Sequence, residues 1–190
     1  MADFLAALPL GKPLPAGLYG AQNFERVALC RLPVDACALV AGRDVAAVIE
    51  KAKVLGVDLC DGPRRSGGDD CALIGTGPGR WLVLSSASGL AARLEAAFAP
   101  EASTFEQGGG LVVLEASGPT LPAVLAKLVP LDLATFADDD AATVTAAHIN
   151  LTLWRHDATH WRFALGRSYF AAFLRAFACA AAEYGLDWAG

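Results

Sequence analysis

The stretch His148–Gly185, HINLTLWRHDATHWRFALGRSYFAAFLRAFACAAAEYG, reads as strand, short turn, strand, glycine and helix. Ile149, Leu151 and Leu153 alternate with Asn150, Thr152 and Trp154, the period of two expected of a half-buried strand. Trp161, Phe163 and Leu165 alternate with Arg162 and Ala164 in the same way, and the five residues 155–159 between the arms are a hairpin-length connection. After Gly166 the period lengthens. Phe170, Phe173, Leu174, Phe177, Ala181 and Tyr184 follow the i, i+3, i+4, i+7 spacing of one helical face. Ser168 is the expected N-cap and Gly185 the expected left-handed stop. A hairpin with a helix folded back over it is therefore the unit from which the fold is built.

The unit recurs. Residues 71–100, CALIGTGPGRWLVLSSASGLAARLEAAFAP, read as a strand to Gly75, a glycine turn, a strand Trp81–Leu84 and a helix with Leu90, Leu94 and Phe98 on one face. Residues 102–129 repeat the order with a turn at Gly108–Gly110, a strand Leu111–Ala116 and a helix lined by Leu121, Val124, Leu125 and Leu128. Pro119 and Pro122 fall in its first turn, where a missing N–H costs little. Upstream, Glu25–Val40 accommodates two short strands broken at Pro33 and Asp35, and a helix starts near Arg43 or Asp44 and stops by Gly56. CDGPRRSGGDD, residues 60–70, reads as loop throughout, and residues 128–143 as a longer surface loop.

Repetition of this element predicts an α+β fold of repeated strand-turn-strand-helix units. The sheet is mixed and mostly antiparallel with helices packed on it, and resembles paired ferredoxin-like halves. Residues 1–24 carry Gly11, Pro13, Pro15, Gly17 and Gly20 with little periodicity and read as an extended arm. Residues 25–190 read as a single domain, with two pseudo-repeated lobes, about 25–100 and 101–190, as the finer division.

Composition narrows the function classes. Apolar residues make up 55% of the 190, which is more than one core needs and points to contact with other chains. No apolar run approaches the roughly 18 residues of a membrane span. A net charge of −5 leaves no basic patch to neutralise phosphates, which argues against nucleic acid. The N-terminal apolar run lacks a basic region before it, so the cytoplasm is the expected compartment. Cys30, Cys37, Cys60, Cys71 and Cys179 are odd in number and form no CxxC pair, which predicts reduced, mostly buried thiols.

The motifs of site chemistry fail one by one. Gly75, Gly77 and Gly79 are followed by Arg80 and an apolar strand, where a dinucleotide loop needs a third glycine and a helix N-terminus. A plain hairpin turn fits better. His156 and His160 have a zinc-compatible spacing, with His148 within reach on the adjacent strand, but no cysteine pair precedes them. Asp138, Asp139 and Asp140 read as a solvated acidic run. The serines lack a G-x-S-x-G context, so no catalytic, cofactor-binding or metal-binding residue is assigned. What remains is a set rich in aromatic and arginine side chains, the types that dominate protein interfaces: Trp154, Arg155, Arg162, Arg167 and Tyr169 are the candidate contact residues. The tryptophans are read either as interface or as core.

Three segments together resemble the gamma subunit of bacterial heterotetrameric sarcosine oxidase. They are GTGPGRWLVL (75–84), LVVLEASGPTLPAVLAKLVPLDLATF (111–136) and the closing hairpin and helix (148–185). The resemblance implies a fold similar to the folate-binding domain of aminomethyltransferases. It also implies a non-catalytic small subunit beside alpha, beta and delta partners, in a complex that demethylates sarcosine oxidatively to glycine. The complex is then expected to use FAD, FMN, NAD and tetrahydrofolate, none of them held by this chain. FEQGGG at 105–110 replaces a more polar turn of that family, and GPGRW lacks the acidic residue common before its tryptophan. A related secondary-amine dehydrogenase therefore stands as an alternative parent. So does a stand-alone folate or one-carbon binding protein, with Asp132 or Glu115 reaching the pterin.

Overall fold

The computed structural model describes residues 11–22, 25–68 and 70–190. Along the chain these form β1 (Gly17–Tyr19), β2 (Val27–Leu32), β3 (Asp35–Ala41), α1 (Val45–Val54), β4 (Arg65–Gly67), β5 (Cys71–Gly77), β6 (Arg80–Ser85), α2 (Leu90–Phe98) and β7 (Ala102–Glu106). They continue as β8 (Leu111–Ser117), α3 (Leu121–Leu125), β9 (Ala141–Ala146), β10 (Ile149–Arg155), β11 (His160–Gly166), α4 (Phe170–Ala181) and β12 (Leu186–Trp188).

Two compact units emerge. Of the described residues, one comprises those within 33–111 and 139–143, the other those up to Leu32 together with Val112–Asp138 and Val144–Gly190. The first unit holds a five-stranded sheet in the order β4-β5-β6-β3-β7. Its run β3-α1-β5-β6-α2-β7, with every pairing antiparallel, is a ferredoxin-like β-α-β-β-α-β unit flanked by β4. Cys37, Leu39, Leu73, Trp81 and Val83 form its core with Val48 and Ala52 of α1 and Leu90, Leu94 and Phe98 of α2. Asp44 caps α1 by accepting from the Ala47 N–H at 3.1 Å.

The second unit holds a seven-stranded sheet in the order β1-β12-β2-β8-β11-β10-β9. Here β8-α3, β10-β11 and α4 repeat the ferredoxin-like order, with β2 in the place of the last strand, antiparallel to β8. β12 adds to β2 in parallel and β1 closes that edge. Val27, Leu29, Val112, Leu114, Leu151, Leu153, Trp161 and Phe163 meet Leu121 and Leu125 of α3 and Phe173, Leu174 and Phe177 of α4. No helix of the described residues is long and apolar enough to cross a membrane.

The structure corrects four local expectations. The strands expected to pair across Gly108–Gly110 lie in different sheets, β7 on β3 and β8 on β2, because each finds its hydrophobic face completed by a separate core. β4 arises inside the segment read as loop, where Arg65, Ser66 and Gly67 pair with Ile74, Leu73 and Ala72. β9 arises at the end of the segment read as surface loop. It turns into β10 through Ala147 and His148, both at positive φ (47° and 66°), a turn without the Asn-Gly signal that would announce it. Ser168 is not the N-cap of α4. A 3-10 turn over Arg167–Tyr169 leads into the helix, and the Phe170 N–H donates to Arg167 O instead of to a side chain. The C-terminal stop is as expected: Gly185 sits at φ +92°, with its N–H donating to Ala181 O at 2.8 Å.

Candidate functional site

The face of the seven-stranded sheet opposite α3 and α4 is set by strand alternation, since β8 and β11 turn Val112, Leu114, Trp161 and Phe163 to the helices. It carries Cys30, Glu115 and Arg162. Arg162 Nε donates to Glu115 Oε2 at 2.7 Å, with both side chains about one-fifth exposed. Cys30 stands opposite Glu115 in the β2-β8 register, and burial, then the neighbouring carboxylate, pushes its thiol pKa up. A thiol held protonated in this way is a poor nucleophile. A shallow concavity of about 130 Å³ opens here, lined by Cys30, Glu115, Ser117 and Asp187 among others.

The β10-β11 turn is organised by one carboxylate. Asp157 Oδ1 accepts from the N–H of Thr159 at 2.7 Å and of His160 at 2.9 Å, and from the Thr159 hydroxyl at 2.9 Å. His160 Nδ1 lies 3.0 Å from the same oxygen. The Thr159 N–H, followed by the His160 and Thr159 side chains, holds the Asp157 carboxyl well below the usual carboxylate range. A depressed folded-state pKa stabilises the fold above the unfolded value and loses that contribution as pH falls below about 4. We expect Asp157→Ala to lower the thermal unfolding midpoint at pH 7, and the gap to wild type to narrow by pH 3. A gap constant with pH would contradict this role.

Beside this turn lies a cavity of about 280 Å³ lined by Gly118, Pro119, Leu121, Pro122, Ala158, Thr159 and Trp161. Its wall offers one hydroxyl and no titratable side chain, so it can hold an apolar group but brings no acid or base to it.

The five candidate contact residues have different fates. Trp154 is fully buried, and Trp161 nearly so with its ring stacked on Phe136 at 5.2 Å. Of the two readings of the tryptophans, the structure places both in the interior. Arg155 donates from Nη1 to Phe136 O at 2.6 Å and pairs with Asp138 at 3.0 Å, while Arg162 is engaged by Glu115. Arg167 and Tyr169 are exposed on the 3-10 turn before α4. The structure thus joins Arg167 and Tyr169 on one turn, pairs Trp154 with Arg162 across the β10-β11 ladder, and leaves Arg155 at the end of β10.

The acidic run is not merely solvated. Asp138 meets Arg155, Asp139 meets Arg65 at 2.6 Å, and Asp140 meets Arg64 at 3.2 Å, so the three carboxylates pin loop segments within their own units. His148 and His156 flank opposite ends of β10, and no group of three or more metal-ligating side chains converges among the described residues. Asp132 accepts from the Ala134 N–H at 3.1 Å and so closes a turn. Glu115 is occupied by Arg162. Of the cysteines, Cys37 is buried, three are intermediate and Cys179 is exposed, fewer buried thiols than the sequence suggested; all five are free. The glycine loop is a hairpin turn around Pro78 and Gly79, the latter at φ +63°.

No protein-family model matches the chain. It is 36% identical over 103 residues to the sarcosine oxidase gamma subunits of Arthrobacter sp and Corynebacterium sp. (strain P-1), a stretch covering 52% of this chain and 50% of each relative. The chain thus spans about half the length of the curated relatives it matches. A chain of the heterotetrameric sarcosine oxidase from Corynebacterium sp. U-96, in complex with pyrrole 2-carboxylate, shares the fold with a TM-score of 0.77 and 25% identity. That likeness covers 87% of this chain and 88% of the other. The glycine cleavage system aminomethyltransferase T from Bartonella henselae shares the fold at a TM-score of 0.61 and 16% identity, over 87% of this chain and 48% of that one. The similarity to sarcosine oxidase gamma subunits and the aminomethyltransferase-like α+β fold, both expected from the sequence, are thereby shown.

Proposed function

We propose that this chain is a small, non-catalytic subunit of a heteromeric sarcosine oxidase, which demethylates sarcosine oxidatively to glycine with tetrahydrofolate as one-carbon acceptor. The observation that carries the reading is the likeness to the heterotetrameric enzyme over nearly the whole of both chains, joined to the 36% identity with gamma subunits. The side-chain chemistry agrees with it. The charged groups of the sheet face and of the β10-β11 connection are engaged in pairs and turns that hold this chain's own structure. Cofactors of the FAD, FMN and NAD type then belong to larger companions of the alpha and beta kind, with a further small delta-type subunit completing the assembly. In this assembly the chain supplies contact area, and the exposed turn bearing Arg167 and Tyr169 is one place where it meets them.

Affinity purification of the tagged chain from its native host tests the reading. The expected product is a stoichiometric complex whose larger subunits carry flavin absorbance and whose activity consumes sarcosine. A tagged chain recovered without companions contradicts it.

A further inference from the structure

We infer that the end of α1 and the cavity beside it form a docking surface on which a larger companion subunit seats one bulky apolar side chain with a carboxylate next to it. The inference deepens the subunit reading above and rests on it.

The surface begins with two side chains that ordinary folding leaves unexplained. Val54, the last residue of α1, is 87% exposed, and Leu55, which caps the helix through its N–H to Ala52 O at 3.0 Å, is 56% exposed. Single exposed hydrophobics are normal on protein surfaces. Among the described residues the other large exposed ones, Leu18, Phe105 and Tyr169, stand apart from each other in sequence, whereas these two are consecutive. Leu55 is also on the rim of a cavity of about 230 Å³, walled by Val57, Leu73, Leu90, Leu94 and Phe98. An apolar surface pair therefore continues directly into an apolar hole.

The size and extent of this feature favour a protein side chain over a small ligand. Pockets for small molecules usually begin at about 300 Å³. A ligand confined to the 230 Å³ cavity would leave Val54, which is not on its wall, in water. An aliphatic or aromatic side chain in the hole, with its own backbone crossing the helix end, covers both. This is the arrangement of an interface anchor in a desolvated pocket. Charge indicates the neighbour. Arg93 is on the cavity wall, its Nη1 3.4 Å from Ser85 Oγ, and the exposed Lys53 shares the last turn of α1 with Val54. One cation on the wall of an apolar pocket and a second on the helix end that carries Val54 complement an acidic residue beside the anchor.

The test is recovery of companion subunits by the tagged chain from its native host, comparing wild type with Val54→Asp/Leu55→Asp, with Arg93→Glu, and with Leu94→Trp, which fills the cavity from within. The double variant is expected to recover at least about tenfold less of the larger subunits, the loss typical of removing an anchor contact. Arg93→Glu is expected to lower recovery in a salt-dependent way. Circular dichroism of each isolated variant checks its fold, and Arg93→Glu, at an exposed position, keeps the test decisive if Leu94→Trp disturbs the core. Wild-type recovery by all the folded variants, with the wild-type chain itself assembling, overturns the surface and leaves the subunit reading in place. Failure of the wild-type chain to recover a companion overturns both. Binding of octanoate by the isolated chain, with recovery by the double variant unimpaired, overturns the surface by reassigning the cavity to a small carboxylate.

Discussion

Phe177→Ala is expected to lower the unfolding free energy by about 3–5 kcal/mol, the range for removing a large aromatic from a packed interior. Phe177 has no exposed surface and lies at the centre of a three-ring cluster. Its ring is 6.1 Å from Phe163 on β11, edge to face at 72°, and 6.1 Å from Phe173 one turn back along α4. Phe163 and Phe173 are themselves 5.9 Å apart. The rings attach α4 to the middle of the seven-stranded sheet, so their loss removes buried area and leaves a void that neither the strand nor the helix can close alone. Against a total stability of about 5–15 kcal/mol for a typical domain, this is a large fraction. Urea unfolding followed by circular dichroism measures it, and a change below about 1 kcal/mol would contradict the central place given to this ring.

Gly75→Ala is expected to be at least as damaging, for a reason that lies in the backbone. A Cβ at position 75 would sit 1.7 Å from Gly62 O and 2.8 Å from Gly62 C. The segment cannot step away easily, because the Gly75 N–H donates to Arg64 O at 2.9 Å and the Arg64 N–H to Gly62 O at 2.8 Å. Overpacking against fixed backbone costs roughly 3 kcal/mol or more, so the variant is expected in the insoluble fraction or with a sharply lowered unfolding midpoint. Gly77→Ala is the control. No atom lies within 4 Å of its would-be Cβ, and its effect is expected to stay within about 0.5 kcal/mol. Equal behaviour of the two variants would show that strand 71–77 is not held against residues 62–64 as described.

These two positions also show what a sequence can and cannot reveal. The ring cluster was legible because Phe163 belongs to a period of two while Phe173 and Phe177 belong to a helical period, and both patterns need the same core. The same reasoning exposed the strand-turn-strand-helix units at 71–100 and 148–185, but not the separation of β7 from β8 within 102–129. Gly75 was legible only as one glycine among three, since nothing local distinguishes a glycine under a neighbouring backbone from Gly77 in open space. Strand partners were the other blind spot. The turn at Gly108–Gly110 resembles any hairpin connection, yet β7 and β8 belong to separate sheets, and periodicity says which residues are buried but not against what. β9 was hidden because Ala147 and His148 adopt left-handed conformations that their side chains do not advertise.

The candidate contact residues met the same limit. Trp154 alternates with Leu153 as if it faced solvent, but β10 is buried on both faces from Leu151 to Trp154, so a tryptophan that fits an interface profile lies in the interior. Arg155 and Arg162 are candidate contact residues because arginine is enriched at interfaces, and within the chain Phe136 O, Asp138 and Glu115 also engage them. Conversely, Val54 and Leu55 stand at the unremarkable end of a helix, and only the folded chain shows that both are exposed and that Leu55 lines an apolar cavity.

Under the proposed function, this chain contributes contact surface to a larger enzyme whose reacting groups lie in its companions. An add-back experiment tests that most directly: companion subunits purified without the chain are titrated with it while sarcosine oxidation and sedimentation are followed, and tetrahydrofolate is titrated into the isolated chain by calorimetry. The account predicts saturable association at a fixed stoichiometry, activity that rises with association, and no heat of folate binding to the chain alone. Full activity of the companions without the chain and no association on its addition, or folate binding by the chain in isolation, would contradict it.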